Sequence, residues 1–119
     1  MIIDQTLTLE AVLAGAVAAN QPEVHVDYID WNDAGEETPP ATYRVALNNA
    51  TDVTILAAPT GRAVVREVHK VTLYNKDTVS VTVTVKTDGG TTERILVKAT
   101  VATLKSLCWE KGVGWYQTT

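Results

Sequence analysis

The 119-residue sequence contains no phenylalanine and a single cysteine, Cys108. One thiol cannot form a disulfide within the chain, and its place between Leu107 and Trp109 is typical of a half-buried strand residue rather than a reactive nucleophile. The longest apolar run, residues 11–19, is far shorter than the ~20 residues of a membrane-spanning helix, and no basic segment precedes it. We therefore expect no membrane anchor and no signal peptide.

Basic residues are scarce as well, with 10 Lys and Arg against 14 Asp and Glu, which gives a formal net charge of −4. Proteins bind a phosphate backbone through clustered positive charge, so the composition argues against a nucleic-acid partner. Apolar residues make up 45% of the chain and charged residues 20%, a balance that excludes disorder throughout. The length fits one compact domain with its own core.

The second half of the chain is dominated by valine and threonine, which suit a pleated strand. From Thr78 to Lys86 apolar and polar residues alternate strictly, and this predicts a strand with one wet face. Asp88-Gly89-Gly90 predicts a turn, and the alternating run 93–101 completes a hairpin. Turn residues 74–77 predict that the strand before them pairs with the strand at Val79, which gives a three-strand meander.

Further strands are predicted on both sides of this region. The apolar phase shifts between Val64 and Val71, which indicates a β-bulge near residues 68–70. A closing hairpin is expected over residues 106–116, with its tryptophans sealing one end of the core. In the first half, three shorter strands are expected at residues 24–29, 43–47 and 53–57. A polar loop is expected at residues 33–40. About eight short strands predict an all-β protein, an antiparallel β-sandwich of jelly-roll type.

The N-terminal segment is the least regular part of the pattern. Residues 6–20 fit either a helical stripe or a strand, and we favour the strand. The domain prediction is a strand or docking arm over residues 1–20, followed by a single β-sandwich domain over residues 21–119. As an arm, the segment would dock on a neighbouring subunit or on the capsid, either by strand addition or by burying a set of apolar side chains: Leu7, Leu9, Val12 and Leu13. As a strand, it would open the domain's own sheet.

Candidate chemical motifs are few. Residues 30–37 resemble the start of a calcium loop, but Ala34 stands at its fifth position and Ala41 at its twelfth, where ligands belong, so we interpret the segment as a solvated acidic loop. The two histidines, His25 and His69, lack metal-ligand spacing, and the sequence has no G-x-S-x-G nucleophile motif. We expect no catalytic residue, no cofactor and no metal.

Several segments together carry a family resemblance. Several different turn, strand and terminal motifs are distributed along the chain: Ile55–Pro59, Arg62–Val71, Leu73–Val79, Val81–Val85, Ile95–Thr100 and Gly114-Trp115, with Val12–Val17 and Asn20-Gln21 before them. With these motifs the chain resembles small virion proteins of tailed bacteriophages over most of its length, most densely from residue 52 onward. The motifs specify a β architecture and no ligand.

The resemblance implies a component of the virion, assembled in the cytoplasm of the host bacterium, whereas the expectation of a non-enzymatic β domain rests on the residues alone. The leading hypothesis is a capsid decoration, or cement, protein that binds major capsid subunits. The alternative within the virion is a head-fibre base, neck or tail component. An alternative of another class is a carbohydrate-binding module that uses Trp31, Trp109 and Trp115 as stacking faces. Flat strand edges also predict a homo-oligomer, with a trimer favoured.

Overall fold

The computed structural model describes residues 1–118 and contains ten strands and no helix. In chain order the strands are β1 (Ile2–Asp4), β2 (Thr8–Leu13), β3 (Glu23–Asn32), β4 (Ala41–Ala46), β5 (Val53–Leu56), β6 (Ala63–Tyr74), β7 (Val81–Asp88), β8 (Glu93–Val101), β9 (Ser106–Glu110) and β10 (Gly114–Gln117). The predicted all-β, antiparallel β-sandwich is confirmed, with ten strands in place of about eight.

Two antiparallel sheets make up the sandwich. The six-stranded sheet has the order β10-β9-β6-β3-β4, and β1 joins it along β6, whereas the four-stranded sheet has the order β5-β2-β7-β8. Valine, leucine and isoleucine at alternate positions of the strands face inward and form one continuous core. Its fully buried members come from both sheets and include Ile3, Leu9, Val26, Ile55, Val71, Leu73 and Val83.

The predicted β-bulge lies at His69. Along the β3–β6 pairing, Asp27 is opposite Lys70 and Tyr28 is opposite Val68, so His69 has no partner residue on β3. The extra residue allows Val68 and Val71 to be buried together although their spacing breaks the strand period. The bulge also divides the other side of β6, where β1 pairs with residues 65–67 and β9 with residues 70–74.

Both predicted hairpins are confirmed, as β7–β8 and as β9–β10, and Trp109 lies directly opposite Trp115 in the second one. The predicted three-strand meander is wrong, because β6 and β7 belong to different sheets. The turn chemistry itself is present: the Asn75 side chain accepts a hydrogen bond from the Asp77 N–H. However, the Asn75 amide donates to the carbonyls of Val79 and Val101, which holds the segment as a crossover between the sheets.

The N-terminal segment contributes two strands to the sandwich. The strand interpretation is confirmed for Thr8–Leu13, since β2 lies between β5 and β7 in the interior of the four-stranded sheet. Residues 14–20 continue as irregular chain that is bonded to Asn49 and Asp77. Residues 2–4 and 8–13 are therefore built into the same two sheets as the rest of the chain.

Deletion of residues 1–14 is expected to give an unfolded product. The deletion removes β2 and leaves β5 and β7 without the strand that joins them, so the four-stranded sheet loses its centre. Circular dichroism and thermal melting of the purified fragment measure the effect. Deletion of residues 1–4, which removes only β1 and the buried Ile3, is the graded control and should fold with reduced stability. A stable, cooperatively melting 15–119 fragment would contradict the prediction.

Candidate functional site

A close group of charges lies on the outer face of the four-stranded sheet, around Lys86. The Lys86 ammonium donates to Asp52 Oδ2 at 2.9 Å and to Glu93 Oε2 at 2.9 Å. Glu10 lies on the neighbouring strand, directly opposite Lys86. One carboxylate oxygen from each of Glu10, Asp52 and Glu93 falls within 4.8 Å of the others. We refer to Glu10, Asp52, Lys86 and Glu93 as the Lys86 cluster.

Strand pairing brings the members of the Lys86 cluster together from distant parts of the sequence. Asp52 immediately precedes β5, Glu93 is the first residue of β8, and the other two members lie on β2 and β7. The pairing register shifts beside Glu10 and beside Lys86. One shift lies between Leu9 and Glu10, where β2 pairs with β5, and the other lies between Val85 and Lys86, where β7 pairs with β8. The cluster therefore joins all four strands of the sheet at the point where their register shifts.

Burial and neighbouring groups shift the pKa values of two members of this cluster, Lys86 and Glu10. The hydrogen bond from Lys86 to Glu93 raises the pKa of the lysine most, and the bond to Asp52 raises it further. Burial of the side chain acts in the opposite direction and lowers the pKa. Burial raises the pKa of Glu10, and the nearby Asp88 and Asp52 carboxylates raise it further. The Glu10 Oε1 atom is buried and accepts no hydrogen bond. Three carboxyl groups thus lie around one ammonium group, and a fourth, that of Asp88, lies near Glu10.

Three carboxylates at this spacing match the oxygen ligands that a hard divalent cation uses. Here the Lys86 ammonium already bridges two of them and is itself only 10% exposed. Lysine therefore acts as a built-in cation that ties β5, β7 and β8 together. None of the three acidic members was predicted from the sequence, because their spacing along the chain gives no sign of their proximity. The one local sign is the position of Lys86 at the end of a strand face that otherwise carries hydroxyl groups.

A second polar centre, Asp77, holds the crossover between the sheets. Its buried carboxylate accepts hydrogen bonds from the backbone N–H groups of residues 18, 19, 20 and 78 at 2.8–3.1 Å. Burial raises the pKa of Asp77, but these four donors outweigh it and lower the pKa to about 2. Asp77 thereby anchors residues 18–20, the segment that follows β2, and its role is structural.

The sequence predicts a loop over residues 30–37, but residues 30–32 form the end of β3, and three of the polar side chains in this segment have partners of their own. Asp30 pairs with Arg66 at 2.9 Å and Asp33 with Arg62 at 3.1 Å. The Asn32 side chain accepts from the N–H groups of Ala34 and Glu36 and so stabilises the turn. These three side chains act as ion-pair and turn partners within the loop region rather than converging on one point.

The two histidines occupy separate positions on the six-stranded sheet. His25 lies opposite Arg44 on β4 and Thr72 on β6, whereas His69 occupies the bulge. His69 Nε2 is 3.6 Å from Glu67, a carboxylate that also accepts from Lys111 and Trp31. The hydrogen bond from Lys111, followed in size by the one from Trp31, lowers the pKa of Glu67 to about 2. Burial of the carboxylate acts in the opposite direction and raises the pKa. This group links β3, β6 and the β9–β10 turn.

The apolar side chains proposed for docking do not share one exposed surface. Leu9 and Leu13 are buried in the domain's own core, and Leu7 and Val12 are half-buried. Leu9 and Leu13 therefore stabilise this chain and are not available to a partner while the domain is folded. The physical reason is the interior position of β2, whose inward residues must face the opposite sheet.

The three tryptophans do not form a single platform. Trp109 and Trp115 are half-buried and pack against the core, whereas the Trp31 indole N–H donates to Glu67 Oε2 at 3.0 Å. Stacking on a sugar ring needs exposed faces that are aligned with one another. The arrangement therefore gives no support to the carbohydrate-binding alternative.

The most exposed strands of the described chain are the edge strands β4 and β8. Every residue of β4 is exposed or half-buried, and so are the first eight residues of β8. Ile95 is 66% exposed, Leu96 37% and Tyr43 42%. Unpaired strand edges that carry apolar side chains are sites where another protein can add a strand or pack.

No family model, curated protein or solved structure matches this chain. Within residues 1–118 there is no helix long and apolar enough to cross a membrane.

Proposed function

We propose that the chain is a structural protein of a tailed-bacteriophage virion, most specifically a capsid decoration protein that binds major capsid subunits and stabilises the head. The sequence motifs that resemble small virion proteins support this proposal. The single structural observation that carries it is the edge strand β8, which presents Ile95 and Leu96 to solvent. A cement protein needs such a surface, because it stabilises a shell by burying area between subunits rather than by chemistry.

The β8 edge is suited to a protein partner for two reasons. Its first eight residues offer backbone groups along an open edge, and its two exposed apolar side chains lie at the bulge where Leu96 is the extra residue. Bulges re-aim side chains, and here the bulge places two consecutive apolar residues at the margin of the sheet. Arg94 and Lys98 flank them and offer positive charge to an acidic patch on the partner.

Copy number in purified particles tests the virion assignment. Particles of the phage that encodes this chain would be purified, and the chain would be quantified by mass spectrometry against the major capsid protein. A decoration protein should be present in hundreds of copies, whereas a head-fibre, neck or tail component should be present in tens or fewer. Absence of the chain from purified particles would overturn the proposal.

Replacement of the apolar pair on β8 should reduce assembly onto heads. In the variant Ile95→Lys/Leu96→Lys the two charges would have to be desolvated at the interface, so binding should weaken by at least about tenfold. The matched control is Val113→Lys, which changes a 70% exposed apolar residue in the β9–β10 turn and should bind normally. Binding is measured by co-sedimentation of purified variants with heads that lack the protein. Equal binding of the parent and the β8 variant would show that another surface is used.

A further inference from the structure

The edge strand β4 lacks the features that usually keep sheet edges from pairing. Proteins protect edges with proline, with bulges, with very short strands or with several charges. The strand has six residues, pairs with β3 in continuous register and carries only Arg44 as a charge. By comparison, β8 has a bulge and three charged residues, and β5 and β10 have four residues each.

The inner face of β4 is incompletely covered. Tyr43 lies opposite the fully buried Val26, and Val45 lies opposite the fully buried Val24, so their side chains face the same side of the sheet as the core. Nevertheless, Tyr43 remains 42% exposed, and Val45 is only half-buried. The core therefore continues to this margin and ends there without a covering strand.

The outer face of the same margin carries two charged side chains that form no close ion pair in the described residues, although Lys70 on β6 lies directly opposite one of them, Asp27. Asp27 on β3 and Arg44 on β4 lie on the face opposite the core, and neither forms an ion pair within residues 1–118. Asp27 accepts a hydrogen bond only from the Thr42 hydroxyl, at 2.6 Å, and Thr42 lies directly opposite it. The two charges have opposite sign but are separated along the strands.

We propose that β4 pairs antiparallel with β4 of a second copy of this chain, about a two-fold axis that passes through Tyr43. In this register Tyr43 faces Tyr43 of the second copy, Thr42 faces Arg44, and Ala41 faces Val45. Each pair combines residues from the same face, as an antiparallel sheet requires. The two six-stranded sheets become one continuous sheet across the dimer.

The register complements both faces of the edge. On the inner face, the two tyrosines and the Ala41–Val45 pairs cover the exposed end of the core. On the outer face, Arg44 of one copy is two strand spacings, about 10 Å, from Asp27 of the other. The long arginine side chain can reach that carboxylate across the short Thr42. The symmetry supplies the same contact twice.

This inference does not depend on the virion assignment, and it favours a dimer where the sequence pattern favoured a trimer. Pairing of one edge with an identical edge is isologous and closes at two copies, whereas a three-fold ring needs two different surfaces in contact. A dimeric protein that is absent from virions would contradict the virion proposal but not the dimer proposal. A monomeric protein that is present on virions would contradict the dimer proposal but not the virion proposal.

Charge reversal tests the register. Sedimentation velocity of the full chain over a range of concentrations should show a dimer. Asp27→Arg and Arg44→Asp should each weaken association by at least about tenfold, because each places like charges together. The double variant Asp27→Arg/Arg44→Asp restores opposite charges across the axis and should regain the parental dimer. Thermal melting of each variant verifies that the monomer is folded.

A second variant keeps the test decisive if a reversal disturbs folding. Tyr43→Lys places two ammonium groups opposite each other on the axis and should give a folded monomer. Val79→Lys, which changes a 49% exposed residue just before β7, should leave the dimer intact. Parent protein that is monomeric at all concentrations, or a dimer that Tyr43→Lys leaves intact, would overturn the proposal.

Discussion

Replacement of Asp77 by asparagine is expected to lower the melting temperature by on the order of 10 °C at neutral pH. The amide keeps the shape of the side chain but directs an NH₂ group at backbone N–H groups that now donate to carboxylate oxygens. One buried donor loses its acceptor, and the remaining bonds lose the assistance of the negative charge. The segment 18–20 that follows β2 is then poorly held. Thermal unfolding followed by circular dichroism measures the effect.

The same variant should change the acid stability of the protein. Because the pKa of Asp77 is lowered to about 2 in the folded chain, its ionised form contributes stability above the unfolded value of 3.8. That contribution is lost as the pH falls from about 4 towards 2. The stability curves of parent and Asp77→Asn should therefore converge over this interval. Glu67, whose pKa is also lowered to about 2, titrates in both proteins and cancels in the comparison.

Asp33→Asn is the matched control for Asp77. Asp33 pairs with Arg62 at the surface, with side chains 58% and 75% exposed, and such pairs contribute little to stability. Its melting temperature should stay close to that of the parent. Equal melting temperatures for Asp77→Asn and Asp33→Asn would show that the Asp77 hydrogen bonds are not needed to hold the crossover.

Replacement of Lys86 by methionine is expected to cost about 2 kcal/mol at neutral pH and low calcium. Methionine preserves most of the side-chain volume but removes the ammonium group that bonds to Asp52 and Glu93. The crowded carboxylates of Glu10, Asp52, Asp88 and Glu93 then repel one another without a counter-ion. Urea-induced unfolding of the variant and the parent in calcium-free buffer measures the difference.

Calcium should restore the Lys86→Met variant and leave the parent unchanged. With the ammonium gone, three oxygen ligands within 4.8 Å can close around a cation, and calcium in the millimolar range should raise the melting temperature of the variant. In the parent, Lys86 occupies that position. The double variant Lys86→Met/Glu93→Gln removes one ligand and should lose most of the calcium effect. A variant as stable as the parent in calcium-free buffer would contradict the role of Lys86 as a built-in cation.

Local features of the fold were predictable because their causes are local. The β7–β8 and β9–β10 hairpins follow from strict alternation interrupted by glycine-containing turns. The bulge at His69 follows from a break in the same alternation. Even the hydrogen bond from the Asp77 N–H to Asn75 belongs to the expected turn chemistry.

Features that depend on distant pairing could not be found in the same way. The 74–77 turn has the same local chemistry whether it joins neighbouring strands or carries the chain to the other sheet, and only the bonds from Asn75 to Val79 and Val101 decide between them. The apolar pattern of the N-terminal segment fits both a strand and a helix. The segment forms a strand because it fills the position between β5 and β7 in the four-stranded sheet.

The sequence by itself determined the β class, the hairpins and the position of the bulge, because side-chain alternation and turn residues act over a few neighbouring positions. The tertiary structure alone decided that Glu10, Asp52 and Glu93 meet at Lys86, and that Asp27 and Arg44 lie on the outer face beside the same open edge. Both groups arise from strand order and register. These are fixed by which apolar faces the two sheets bury against each other, and residues far apart in the chain carry no local sign of it.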